Sequence, residues 1–244
     1  MHTLVFDIHG DYAQFKKPYS PMSPVSYPFP PPTAVLGILG AIVGYPKEEY
    51  HERLDWRSAR IGVSLRAPVQ VYRTAINLLQ TKDGTDAFFR PRAGQNTHTQ
   101  VPFEFLKFPA FRLYVSDLAA DAMQELTARL RAGTTVYTVT LGLASCLAEV
   151  EWVGEWEAQT LQAGDWTATT VVPLTEDVSI HYEDGRRYHR LRVPAVMDGK
   201  RIVHSYQEIV MAEDGQPIRG QGGSGLFYRV QHETIAFLSN LRPS

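Results

Sequence analysis

Residues 26–45, Ser-Tyr-Pro-Phe-Pro-Pro-Pro-Thr-Ala-Val-Leu-Gly-Ile-Leu-Gly-Ala-Ile-Val-Gly-Tyr, constrain the fold more than any other stretch of the chain. Pro28, Pro30, Pro31 and Pro32 fix φ and remove backbone donors, so the loop is extended and excluded from a central strand. It runs into a short apolar helix predicted over Ala34–Val43, with Thr33 as N-cap and Gly44 as the stop. Gly37 and Gly40 lie three apart on one side of that helix and let another backbone approach closely. With a buried strand predicted at Thr3–His9, the chain opens as strand, rigid loop and helix.

The 244 residues suffice for a full core, and 44% hydrophobic with 20% charged residues is the composition of a soluble globular protein. Ala34–Val43, the longest apolar run, is too short to span a bilayer, and the N-terminus has no basic, cleavable leader pattern. One cysteine, Cys146, excludes an internal disulfide and fits a reducing cytoplasm. The eight histidines follow no HExxH or CxxC spacing, which argues against a structural zinc site.

The net charge of −2 conceals a division along the chain. Segment 53–112 holds ten Lys/Arg against four acids, and 186–201 holds six against Asp198. Segment 145–185 holds nine acids and no Lys or Arg. Such a division suits a protein that binds a polyanion on one face and protein on another.

Arg60–Tyr72 alternates at period two, with Pro68 marking an edge or bend, and Phe103–Val115 reads as a strand broken by Pro109. Ser116 is the expected cap of a second helix with an apolar stripe at 119, 122, 123, 126 and 130, ended by Gly133. Val136–Val153 supplies the next strand or strands. The order β-α-β-β-α-β predicts an α+β, ferredoxin-like (RRM-like) domain over residues 1–154, a topology that many RNA-binding modules use. The insertion 73–102 is far longer than a hairpin connection and reads as a projecting hairpin that grips a ligand. Residues 155–244 read as a small β-rich subdomain, with strands at Thr167–Leu174, Arg187–Pro194 and Arg201–Met211 and tight turns at 183–185 and 197–200.

Gly220-Gln-Gly222-Gly-Ser-Gly225 matches GxGxxG by letter, but the strand-like Leu226–Val230 follows where a phosphate-binding helix belongs, so no nucleotide cofactor is expected. GxSxG is absent, and Cys146 sits in apolar surroundings that predict inert burial. Two chemistries survive. In the first, Arg73, Arg90 and Arg92 pair with phosphates while Asn96, Thr97, His98 and Gln100 read sugar or base edges. Tyr27, Phe29, Phe88 and Phe89 offer stacking faces, and core packing is the competing use of each. In the second, RNA is cleaved without metal by an acid and a base drawn from His9, His98, Lys16, Lys17 and Tyr19.

The ordered set Thr3–Gly10, Ala13-Gln-Phe-Lys-Lys-Pro18, Tyr27–Thr33, Leu36–Gly44, Thr99–Leu106, Phe111–Val115 and Leu141–Ala148 resembles the Cas-five subunits of type I CRISPR effector complexes (Cascade), members of the RAMP superfamily. The resemblance covers most of residues 1–154. It implies a ferredoxin-like domain whose thumb is the 73–102 insertion, holding the 5′ handle of a guide RNA with Lys16, Lys17, Tyr19 and the proline loop along the handle. It also implies contacts with backbone and large subunits, with target DNA near the protospacer-adjacent motif as a further candidate partner. The helix and the Thr99–Leu106 block resemble non-catalytic type I-B subunits, which implies no enzymatic activity, no cofactor and no metal. The alternative is the type I-C branch, a metal-independent endoribonuclease that processes precursor CRISPR RNA with Tyr, Lys and His; here Thr97 stands before His98 where that branch has Lys.

Overall fold

The computed structural model describes residues 1–20, 22–79 and 97–238. Strand β1 (His2–His9) leads through the two-residue strands β2 (Tyr12–Ala13), β3 (Phe15–Lys16) and β4 (Ser26–Tyr27) to α1 (Pro32–Val43), a single turn α2 (Tyr50–Arg53) and β5 (Arg60–Leu65). There follow β6 (Val71–Leu79), β7 (His98–Lys107), β8 (Ala110–Ser116), α3 (Ala120–Ala132) and β9 (Glu149–Glu157). The remainder is strand: β10 (Gln159–Thr160), β11 (Gly164–Ala168), β12 (Val172–Pro173), β13 (Val178–His181), β14 (Tyr188–Met197), β15 (Val203–Ala212), β16 (Ile218–Gly222), β17 (Phe227–Val230) and β18 (Glu233–Ala236). The chain is thus mixed α and β, and mostly strand.

Helix α1 begins one residue before Thr33, with Pro32 inside its first turn and Pro31 at the N-cap. Proline is pre-set for that turn, where its missing N–H costs nothing, so Thr33 is not needed as a cap. Gly44 ends the helix at φ 81, as expected. The close approach at Gly40 comes from a side chain rather than a backbone: a Cβ there would lie 2.8 Å from Tyr50 Cβ. Ser116 does not cap α3, which starts from Ala119. Its hydroxyl is instead buried and shares a 2.7 Å hydrogen bond with Thr3 across the β1–β8 pair.

The first sheet has strand order β5-β8-β1-β9, every neighbouring pair antiparallel, with α1 and α3 as crossovers. Period-two alternation sends Leu4, Phe6 and Ile8 to the helix side, with Ile61, Val63, Phe111, Leu113 and Val115 beside them in the main core. The expected strand 60–72 divides between two sheets, since β5 stops at Leu65 and β6 belongs elsewhere. The break at Pro109 separates β7 from β8 as anticipated. β6 and β7 form an antiparallel ribbon paired from Val71↔Leu106 to Leu79↔His98, the stem of the expected thumb. Phe89, Arg90, Arg92 and Asn96 lie outside the described residues, as does Phe88.

The opposite face of the first sheet is covered by the C-terminal strands. Val5 and Tyr114 pack with Tyr228, Val230, Ile235 and Phe237. The Leu238 N–H donates to the Ile61 carbonyl at 2.7 Å, and a Cβ on Gly62 would meet the Ala236 carbonyl at 3.1 Å. RRM-type modules present this face to RNA; here it is buried. Among the described residues no helix is long and apolar enough to cross a membrane.

A packing contrast tests the α1–Tyr50 contact. Gly40→Ala should cost about 1–3 kcal/mol by overpacking. Gly37→Ala, whose Cβ would meet nothing nearer than the Tyr50 hydroxyl at 3.8 Å, should be neutral or stabilising by about 0.5–1 kcal/mol. Urea unfolding of both variants checks the difference.

Candidate nucleic-acid interface

A cavity of about 920 Å³ forms a groove on the helix side of the molecule. Its floor is one face of α1, with Thr33, Ala34, Gly37, Ile38 and Ala41. One wall is the strap Gln14-Phe15-Lys16 with Tyr27 and Phe103, and another is Tyr45-Pro46-Lys47 with Tyr50. The segment 137–143 closes one side, fastened by the Tyr137 N–H donating to the Ala41 carbonyl at 3.0 Å. Pro194, Met197 and Arg201 reach in from the β14–β15 hairpin.

Each wall has a local cause. The Gln14 N–H donates to the Leu141 carbonyl at 2.9 Å, and Gly142, at φ 98, lies so close that a Cβ would sit 1.9 Å from the Gln14 carbonyl oxygen. The hairpin tip turns where the expected 197–200 turn falls: Asp198 Oδ1 accepts from the Lys200 and Ile202 N–H groups, both at 2.9 Å. These bonds, Ile202 first, and the His204 partner hold the Asp198 carboxyl below its ordinary range. His204 in turn stacks on Trp56 at 5.5 Å, which pins the hairpin to the segment after α2. Arg201, at φ 64, is placed at the groove by that turn.

The expected site residues divide into three groups. Lys16 and Tyr27 line the groove, and Lys17 sits with its Nζ 5.6 Å from the Tyr27 ring centre. Burial pushes the Tyr27 hydroxyl up to about 12, so it is a neutral donor, aimed at the Arg192 carbonyl at 3.3 Å. Tyr19 is 72% exposed on the loop beyond β3. Thr97, His98 and Gln100 stand at the far end of the described ribbon, where Thr97 Oγ1 and His98 Nδ1 are 2.9 Å apart. Two expectations need correcting. Phe29 has no exposed surface and is core, so its ring is spent on packing and cannot stack a base. Arg73 is clamped by Glu104 at 2.8 and 3.1 Å, and serves the ribbon as it stands.

The same correction applies to the basic segment 53–112. Arg53, Arg57, Arg60, Arg66, Arg73 and Arg112 each touch a carboxylate of this chain, so most of the described positive charge there is neutralised internally. The groove residues Tyr45, Lys47, Tyr50 and Arg201 were not anticipated. Tyr45-Pro46-Lys47 directly follows the predicted helix, and Arg201 lies in the basic segment 186–201. Those were the available signals.

Chemically, the groove offers an apolar floor, tyrosine rings and ammonium or guanidinium groups from Lys16, Lys47 and Arg201. That combination fits a single-stranded nucleic acid, whose bases stack and whose phosphates attract cations. Cys146 is buried and its thiol is pushed up by burial, as an inert side chain should be. The glycines of 220–225 serve backbone geometry, with Gly222, Gly223 and Gly225 at φ 87, 69 and 73. His9, Glu149 and Glu151 bring three potential metal-ligating atoms within 4.8 Å, but His9 simply pairs with Glu151 at 3.3 Å on an exposed surface.

Behind Tyr50, His51 is 1% exposed and neither ring nitrogen has a hydrogen-bond partner. Burial first, then Arg201, lowers its pKa, while Asp198 and Glu52 act the other way. The folded protein therefore holds a neutral imidazole, and the unfolded chain takes up a proton below its ordinary value near 6.5. Stability should fall as pH drops from 7 to 5, and His51→Phe should lessen that drop. Urea midpoints across this range decide it; equal pH dependence in both proteins contradicts the assignment.

Residues 3–209 match the family described as CRISPR-associated protein (Cas_Cas5), whose model bears the Cas5d label. A curated relative from Thermus thermophilus, "CRISPR pre-crRNA endoribonuclease Cas5d", is 30% identical over 151 residues. The matched stretch is 58% of this chain and 60% of that relative, less than two thirds of its length. A crystal structure of a CRISPR protein from Archaeoglobus fulgidus superimposes with a TM-score of 0.58 at 15% identity, covering 97% of this chain and 99% of that one. A chain of a CRISPR RNA-guided surveillance complex gives 0.51 at 14% identity, covering 89% and 91%. At these identities the two structures speak for the fold. The type I-B affinity expected from residues 36–44 and 99–106 finds no support in these matches, which bear on the broader family and on Cas5d.

Proposed function

The chain belongs to the CRISPR-associated Cas5 family, and we propose that it holds the 5′ handle of a CRISPR guide RNA in the groove over α1. The observation that carries this reading is the groove itself, about 920 Å³, with tyrosines and the cations Lys16, Lys47 and Arg201 around an apolar helical floor. The sheet order β5-β8-β1-β9 with crossovers through α1 and α3 supports a ferredoxin-like reading of residues 1–154. In that reading residues 155–244 are a β-rich subdomain that covers the outer face of the first sheet and lends the β14–β15 hairpin to the groove. The β6–β7 ribbon is the stem of a thumb that bends the strand, and backbone and large Cascade subunits pack beside it, in the cytoplasm. Contact with target DNA near the protospacer-adjacent motif belongs to the same proposal.

A second reading is cleavage of the precursor RNA, and the Thermus thermophilus relative, a pre-crRNA endoribonuclease, favours it. Without metal, a base removes the 2′-hydroxyl proton, that oxygen attacks the adjacent phosphorus, and an acid protonates the departing 5′-oxygen. Lys16, Lys17, Tyr19 and His98 supply suitable groups on the groove rim and the ribbon.

Incubating the protein with labelled repeat RNA in EDTA separates the readings. A single cut at the base of the repeat hairpin makes it a nuclease; an uncut RNA that shifts on a native gel makes it a handle-binding subunit. In either case Lys47→Ala with Arg201→Ala should weaken RNA binding about tenfold or more, the scale of one charge-assisted hydrogen bond. Unchanged affinity would remove the groove from the account.

A further inference from the structure

Fifteen arginines lie among the described residues, and eleven of them touch a carboxylate. The four that do not fall in two places. Arg192 and Arg201 belong to the β14–β15 hairpin beside the groove. Arg219 and Arg229 are exposed on β16 and β17, and both line one cavity of about 410 Å³ on the six-stranded C-terminal sheet. In a chain that neutralises most of its arginines internally, two uncommitted guanidinium groups at one opening mark an anion site.

The sheet itself creates the opening. β11 and β18 run parallel and pair only at Ala168↔Thr234, whereas their other neighbours pair at length. Arg219 stands between Thr167 and His181 in the register of β11, β16 and β13, and Arg229 stands opposite Thr234. Trp166 lies within the cavity lining, 7% exposed, with its indole N–H buried and unpartnered. One face of its ring is stacked on Phe227 at 4.2 Å. The ring also lies over Gly220, where a Cβ would come within 2.4 Å of it. The indole is therefore committed and offers no face to a base. Asp165 is the one carboxylate in the lining, so two arginines leave it net positive even with His181 uncharged.

We propose that the Arg219–Arg229 cavity binds a phosphate of a nucleic-acid backbone, a site separate from the groove over α1. Two forked guanidinium donors and the Thr167 hydroxyl suit the two non-bridging oxygens of a backbone phosphodiester, each of which accepts more than one hydrogen bond. Because the arginines are exposed and no base platform is free, the strand is held by its backbone and not read by sequence. The choice of a CRISPR RNA strand as the source of the phosphate rests on the proposed function; the anion site does not.

The test uses the full chain, a repeat RNA and a series of KCl concentrations, comparing the parent with Arg219→Ala/Arg229→Ala. The double variant should bind about tenfold more weakly at low salt. Its plot of log affinity against log salt should be shallower by about 0.7 for each phosphate no longer neutralised. Its heat-unfolding midpoint should match the parent's, and Arg219→Lys/Arg229→Lys should restore most of the slope. If the parent binds RNA and the double variant binds it with the same affinity and slope, the proposal is overturned. If the parent binds no RNA, the proposed function fails, and inorganic phosphate decides the pocket. A phosphate-induced rise in the parent's unfolding midpoint, absent from the double variant, sustains the anion site; no rise overturns it.

Discussion

On the face of the first sheet away from the helices, Arg112 grips Asp7 with two parallel hydrogen bonds of 2.7 and 2.8 Å. Glu233, from the C-terminal strand β18, closes over the pair and accepts the Tyr114 hydroxyl. Asp7, Arg112 and Tyr114 come from the first sheet and Glu233 from β18, the last described strand, so the network ties the first strand to the C-terminal region. Its hydrogen bond to Asp7 holds the Arg112 guanidinium firmly protonated, and burial keeps the Tyr114 hydroxyl neutral. A half-buried charged network of this kind resists the loss of any one member, because the charges left behind would be poorly solvated. Its consequence is directional. With that face sealed, a ligand cannot reach it and meets instead the helix side, the edges or the C-terminal strands that cover it.

The same economy of charge organises the rest of the surface. Arg60 binds Asp117 at 2.8 Å and the Tyr228 hydroxyl at 2.7 Å, and Arg186 binds Asp214 and two backbone carbonyls of residues 216–217. The more exposed pairs, such as Arg57–Glu52 and Arg190–Glu208, contribute little to stability individually. Collectively they remove positive charge from the field that an RNA would meet. Among the described cations left without a carboxylate are Lys16, Lys47 and Arg201 at the groove, and Arg219 with Arg229 on the C-terminal sheet. Local clusters on a nearly neutral chain can steer a polyanion where a net charge of −2 would not.

Much of the scaffold was legible because it rests on local physics. The prolines before α1, the αL glycine after it, the break at Pro109 and the Asp198 turn each follow from backbone chemistry within a few residues. Period-two alternation identified β5 for the same reason, and β1 and β8 were read as strands from their apolar runs. The errors are long-range. Ser116 has the chemistry of an N-cap, but its partner Thr3 lies over a hundred residues away. Arg73 and Arg112 look like free cations until Glu104 and Asp7 fold beside them. Phe29 is aromatic and follows a proline, which says nothing of the core that closes over it. The groove was half visible, since Lys16 and Tyr27 lie within the proline-rich opening. Its other wall, supplied by residues 194–201, depends on how the C-terminal strands wrap around the first sheet.

The most direct test of RNA binding in the groove is photo-crosslinking of a repeat RNA carrying 4-thiouridine in its handle, followed by mass mapping of the modified peptides in the full chain. Crosslinks are expected in the groove, at peptides carrying Tyr45, Tyr50 or Tyr137 and at the 194–201 tip. Crosslinks confined to peptides of the sealed face, around Asp7, Arg112 and Glu233, would contradict groove binding.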